Sequence, residues 1–265
     1  MLKLKNLSKT FNPGTVNEKL VLDNVSLLVN EGDFVSVIGS NGAGKSTLLN
    51  AIAGSVDLDA GSIELNGREI SQMPDVTRAR FIGRVFQDPM MGTAPGMWIK
   101  ENLSLAYRRT KRPTLRWALS SDDDEMYIEK LEKLGLGLEG RLKTKVGLLS
   151  GGQRQALTLL MATIQQPELL LLDEHTAALD PKTAKTVLEL SADIIEKNNL
   201  TTLMVTHNMR NAIDYGNRLI MMHEGWIILD IEGEEKRRLS VAALMEMFER
   251  SSGEDFASDS ALLGK

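Results

Sequence analysis

The sequence predicts an α/β fold with an inserted helical segment, and three observations predict it. A short apolar run at residues 33–38 ends at Gly39 and leads through a glycine-rich loop into a helix-forming stretch. Two further apolar runs, at 168–173 and 201–206, flank a stretch with helical spacing. Between these two units, residues 90–166 show helical patterning and no comparable strand run.

The first run, Asp33-Phe-Val-Ser-Val-Ile38, is β-branched and apolar, as a buried strand requires. Beyond the loop, Lys45-Ser-Thr-Leu-Leu-Asn-Ala-Ile52 puts Leu48, Leu49 and Ile52 on one helix face, and Gly54 stops it. The later runs are continuously apolar, which suits strands covered on both faces of a parallel sheet. From 181 to 198, Val187, Leu188, Ile194 and Ile195 recur at helical spacing, giving a strand, helix, strand crossover. Helices are expected at 99–109, 122–134 and 150–165, punctuated by Gly135, Gly137 and Gly140. The expected division is therefore a core of 1–89 and 167–231, a helical subdomain of 90–166, and a C-terminal helix with a flexible tail over 232–265. Residues 251–265, rich in Ser, Gly, Asp and Ala, read as the frayed part.

Composition narrows the function classes. With 265 residues, 42% hydrophobic and 25% charged, the chain can bury a substantial core and needs no disorder. A net charge of -5 argues against a general nucleic-acid binder, which carries a basic face for phosphates. The absence of cysteine removes disulfides, thiolate metal sites and thiol catalysis, and fits a cytosolic protein. The opening MLKLKNLSKTF alternates apolar and polar residues and lacks a signal-peptide core. No apolar run approaches the ~20 residues of a spanning helix, so action at a membrane would require docking on another protein.

Three segments carry the chemistry. Gly39-Ser40-Asn41-Gly42-Ala43-Gly44-Lys45-Ser46 fits the phosphate-loop pattern G-x-x-x-x-G-K-[ST] in its required strand-to-helix context. Backbone N–H groups and the helix N-terminus there point at phosphate oxygens, Lys45 neutralises the outer phosphates, and Ser46 supplies a hydroxyl for Mg²⁺. The strand ending at Asp173 presents a carboxylate for Mg²⁺, and Glu174 is the candidate base toward an attacking water. Leu149-Ser150-Gly151-Gly152-Gln153-Arg154-Gln155 offers a second anion site at a helix N-terminus; a plain helix cap explains Ser150 but not the Gly-Gly-Gln after it.

Taken in order and spacing, these segments resemble the Walker A, signature and Walker B motifs of ABC transporter nucleotide-binding subunits, over residues 1–231. The resemblance implies a P-loop NTPase core of RecA-like type with a mixed sheet, an antiparallel β part near the N-terminus and an inserted α-helical subdomain. It implies ATP and Mg²⁺ as cofactors, with residues 39–47, including Thr47, and Ser150, Gly151, Gly152 and Gln153 on nucleotide. Two copies would meet head to tail, the signature of one completing the ATP site of the other.

Further positions carry over singly. Gln87 matches the loop glutamine toward Mg²⁺ and water, His207 the switch histidine, and Phe11 the aromatic that stacks on adenine. Asp180 matches the loop that communicates across the dimer, although an N-cap before Pro181 explains it equally well. One departure stands out. Where the family usually has proline after Asp173-Glu174, this chain has His175, which we expect to be a solvated loop residue; its spacing to His207 and His223 is not that of a metal site. Met90 to Met97 suits either a groove for a permease or core packing, and the basic run 108–116 either lipid headgroups, permease loops or plain solvent.

The function so implied is ATP hydrolysis powering import of an amino acid or other small solute, at the cytoplasmic face of the inner membrane. Its partners would be a separate permease and an extracytoplasmic solute-binding protein. An ABC ATPase acting on nucleic acid or ribosomes is the rival, but neither a second cassette nor a coiled-coil insertion is present. A nucleotide kinase would leave Ser150-Gly-Gly-Gln unexplained.

Overall fold

The computed structural model describes residues 1–110 and 123–252. The described residues divide into two compact units, one of 1–78 and 199–252 and the other of 79–110 and 123–198.

The first unit opens with β1 (Leu2–Phe11), β2 (Lys19–Val29), β3 (Phe34–Gly39), α1 (Lys45–Ala53), β4 (Ala60–Leu65), β5 (Arg68–Glu69) and α2 (Asp75–Arg78). The second holds β6 (Ile82–Val85), α3 (Ile99–Arg108), α4 (Asp124–Glu132), α5 (Gly151–Thr163), β7 (Leu169–Asp173) and α6 (Pro181–Lys197). The chain returns to the first with β8 (Thr202–Val205), α7 (Met209–Asp214), β9 (Arg218–His223), β10 (Trp226–Glu232), α8 (Gly233–Arg237) and α9 (Val241–Ser252).

In the first unit β2, β1, β4 and β5 form an antiparallel sheet, in which the alternation read in the N-terminal residues buries Leu2, Leu4 and Leu7. Strand β3 pairs in parallel with β8 and β9, and β10 closes antiparallel on β9, so this sheet is mixed. All six residues of β3 and all four of β8 are buried, as continuous apolar runs in a covered sheet must be. Ile38, Leu219, Met221 and Ile231 pack with Met209 of α7 and Leu244 and Phe248 of α9.

In the second unit β6 and β7 pair in parallel. Helices α3, α4 and α5 share a core of Ile99, Leu103, Tyr127, Leu131, Leu157 and Leu160. Burial pushes the Tyr127 phenol up to about 12. The expected helices thus form, each within a few residues of its predicted ends. Ser251 and Ser252, read as tail, instead end α9; the rest of that tail, and the basic run beyond Thr110, lie outside the described residues. Among the described residues no helix is long and apolar enough to cross a membrane.

Candidate functional site

At Gly39 and Gly44 the phosphate loop meets backbone so closely that a side chain has no room. A Cβ at Gly39 would lie 2.0 Å from the Met222 carbonyl oxygen, and one at Gly44 2.6 Å from that of Val21. Gly44 also holds φ 100°, a left-handed value that glycine adopts freely, and from it α1 starts. The hairpin between β9 and β10 fastens the loop, with the Gly225 N–H donating to the Ala43 carbonyl at 3.2 Å. Helix α1 begins with no side-chain cap and no acid in its first turn, leaving its N-terminal dipole available to an anion. Lys45 is buried, and its ammonium donates to the carbonyls of Gly39 at 2.8 Å and Ser40 at 2.9 Å. Asn41, Gly42 and Ser46 are exposed, and Thr47 is half-buried.

Two other expected residues belong to this unit. Phe11 pairs with Lys19 across β1 and β2, and a Cβ at Gly42 would lie 3.2 Å from Lys19 Nζ, so the aromatic and the loop flank the same lysine. Val37 pairs with Val205, so Gly39 and His207 each lie two residues beyond paired strand positions, and His207 is half-buried there.

The second unit gathers the remaining residues. Ser150 caps α5, its Oγ accepting from the Gln153 N–H at 3.2 Å while Gln153 Oε1 accepts from the Ser150 N–H at 3.2 Å. This is a capping box, and it uses an acceptor pair on Ser150 while leaving the hydroxyl proton to donate. Gly151 and Gly152 admit the chain beyond β7: their Cβ atoms would lie 3.2 Å from Leu179 Cδ2 and 2.2 Å from Thr183 Cγ2. Asp180 caps α6 by accepting from the Thr183 N–H at 3.1 Å, and hydrogen bonds from Thr183 hold its carboxylate below the ordinary range. Asp173 ends β7 and meets Arg84 of β6 at 3.4 Å. Glu174 follows in a left-handed conformation, φ 44°. Gln87 is exposed two residues past β6, where buried Gln155 of α5 donates to the Phe86 carbonyl at 3.2 Å.

The ABC transporter family model matches residues 22–177, which span all three glycine-rich or acidic segments. The chain belongs to the ABC transporter family. It is 46% identical over 249 residues to the tyrosine transport ATP-binding protein of Clostridioides difficile strain R20291, covering 94% of this chain and 99% of that one. It is 33% identical over 242 residues to the phosphonates import ATP-binding protein PhnC of Lactococcus lactis subsp. lactis, covering 89% and 94%. Its fold matches the dimeric structure of the ATP-binding cassette MJ0796 bound to ADP and Pi, with TM-score 0.75, 30% identity, and 88% and 98% of the two chains covered. This ABC cassette is accordingly an ATP-binding, ATP-hydrolysing subunit, and its fold is that of a P-loop NTPase.

One expectation about the cassette is corrected. His175 is not solvated: it is 2% exposed, its Nε2 lies 3.0 Å from Ser191 Oγ, and burial holds its imidazole down at about 4. The α6 stripe of Val187, Ser191 and Ile195 is buried, and a hydroxyl in its middle gives the ring a polar partner inside the core. Ser191 and Arg84 were both overlooked in the sequence. A serine at the centre of an apolar stripe was the signal for the first; β6 register, which sets Arg84 opposite Leu171, two residues before Asp173, explains the second. Met90 and Met91 are exposed and Met97 is half-buried, so the first two are not core residues.

Proposed function

We propose that the cassette binds ATP on the phosphate loop and hydrolyses it only when the signature of a second copy closes on the same nucleotide. The observation that carries this reading is the pair of anion-receptive helix N-termini, α1 and α5, in separate units: one surrounds a buried lysine, the other presents exposed Ser150 and Gly151. A single phosphate group bridged by both would hold two protomers together, and its loss would release them.

Residues 39–47 would cradle the phosphates, with the Lys45 charge on the outer two and Phe11 against the adenine. Ser46, Gln87 and Asp173 offer the hard oxygen donors that Mg²⁺ takes, and among the described residues no cluster of three acidic or histidine side chains offers a richer cage. Bound Mg²⁺ would neutralise charge developing on the phosphate oxygens. Glu174 would orient water and accept its proton as the water oxygen attacks the γ-phosphorus and the bond to the β-phosphate oxygen breaks, with His207 holding the γ-phosphate. Ser150, Gly151, Gly152 and Gln153 of one copy would contact the γ-phosphate in the other, and Asp180 would face the dimer partner.

The work so released would drive import of a small solute through a membrane permease fed by an extracytoplasmic solute-binding protein, with the cassette peripheral on the cytoplasmic face. Exposed Met90 and Met91 suit the permease contact, and residues 90–166 would form the helical subdomain that carries it. The 46% identity to a tyrosine transport subunit supports an amino acid as cargo. Glu174→Gln tests the chemistry: it should bind ATP with unchanged affinity and lose turnover by about a hundredfold or more. Turnover at the wild-type rate would remove Glu174 from the role.

A further inference from the structure

We infer that His175 is a positioning residue for ATP hydrolysis: through Ser191 it fastens the loop 174–180 to α6 and so fixes both Glu174 and the contact between that loop and the signature helix. The inference rests on the reading of Glu174 and Ser150 as ATP-site residues.

The hydrogen-bond roles follow from the partners. Ser191 Oγ donates its one proton to the Val187 carbonyl at 2.7 Å, so toward the ring it can only accept. His175 must therefore carry its proton on Nε2 and donate it to Ser191. Both side chains are buried, the ring 2% exposed and Ser191 0%, so no water competes for either group. A buried bond between partners sixteen residues apart is a specific clamp rather than a by-product of helix geometry.

The clamp acts on a loop that needs one. Glu174 holds φ 44°, a left-handed value uncommon and mildly costly for a residue with a side chain. His175 is the next residue, and turn bonds from the Ala177 N–H to the Glu174 carbonyl at 2.9 Å and from the Leu179 N–H to the Thr176 carbonyl at 3.2 Å carry the fold of the loop onward. At the far end Asp180 caps the same helix. The loop is thus tied to α6 twice, at the helix N-terminus and at Ser191, about 16 Å further along the axis at the usual rise per residue. Between the ties lies Leu179, against Gly151, and just beyond them Thr183 sits against Gly152. Releasing the His175 tie would let Glu174 leave its left-handed conformation and loosen the surface on which the signature rests.

The test compares His175→Leu, which fills the space without donating, His175→Gln, whose amide N–H reaches the Nε2 position, Ser191→Ala, and the Leu/Ala double variant. Steady-state ATPase, nucleotide affinity by fluorescence titration and thermal melting are measured for each, beside Glu174→Gln. We expect His175→Leu and Ser191→Ala each to lose about tenfold in kcat with KM and nucleotide Kd within about twofold, because a small misplacement of the base acts on chemistry and not on binding. The double variant should lose no more than either single one, since one bond is broken in all three. His175→Gln should recover most of the rate. If His175→Leu fails to fold, Ser191→Ala and His175→Gln decide the matter. Wild-type kcat in Ser191→Ala, losses that multiply in the double variant, or a loss confined to KM would overturn the inference. Should Glu174→Gln itself turn over normally, the failure belongs to the site reading instead.

Discussion

The phosphate loop after β3 and the loop after β7 both place chemistry where a buried strand ends, yet they are held in shape by different means. In the first, backbone meets backbone where glycines admit the carbonyls of Met222 and Val21, and a single side chain, Lys45, donates to the loop's own Gly39 and Ser40 carbonyls. In the second, side chains do the holding, through His175 on Ser191, Asp180 on Thr183 and Arg84 beside Asp173. A backbone-built site depends on which positions are glycine and is insensitive to most neighbouring substitutions. A side-chain-held loop depends on particular pairs, and each pair is a place where one substitution can change rate without changing affinity.

The largest effect should come from the backbone-built side. If Lys45 neutralises the phosphates as proposed, Lys45→Ala should lower turnover by about a thousandfold, read by steady-state ATPase, with nucleotide affinity falling as well. A loss limited to a few-fold would show that the loop's N–H groups suffice alone.

On the other side, Gly152→Ala puts a methyl 2.2 Å from Thr183 Cγ2 and should cost about 1–3 kcal/mol of stability by denaturant titration. Thr183→Ser deletes that Cγ2 and should restore most of the loss. Failure of the second substitution to rescue would place the clash elsewhere.

The same contrast explains what was legible. Gly39 to Ser46 and Ser150 to Gln153 are contiguous, so the loops and helix starts they form could be read from spacing along the chain. The strands β3, β7 and β8 were legible because burial on both faces demands unbroken apolar runs. His175 was misread because its partner is sixteen residues away on the inner face of α6, and nothing local distinguishes a loop histidine in water from one in the core. Asp180 was legible in its local role alone, since Pro181 beside it marks a helix start.

Acid should expose the side-chain-held loop. The folded His175 ring titrates at about 4, below the ordinary 6.5, so as pH falls through 6.5 the unfolded chain takes up a proton that the fold refuses. Stability contributed by the neutral ring is complete above 6.5 and is lost down to about 4. Between pH 7 and pH 5 the loss should be roughly 2 kcal/mol by denaturant titration and absent in His175→Leu. An identical pH dependence in that variant would assign the acid sensitivity to other groups.

The smallest effect should be at the edge of the backbone-built site. If Phe11 stacks on adenine as proposed, Phe11→Ala should weaken nucleotide binding about fivefold with kcat unchanged, measured by fluorescence titration and steady-state kinetics.

Nucleotide is expected to join two copies through the α5 N-terminus. Sedimentation or light scattering of Glu174→Gln with and without ATP tests it directly. ATP should convert that variant from monomer to dimer, and adding Ser150→Glu, whose carboxylate opposes a phosphate, should keep it monomeric while the phosphate loop still binds nucleotide. A dimer that forms without ATP, or one that the Ser150 substitution leaves intact, would contradict it.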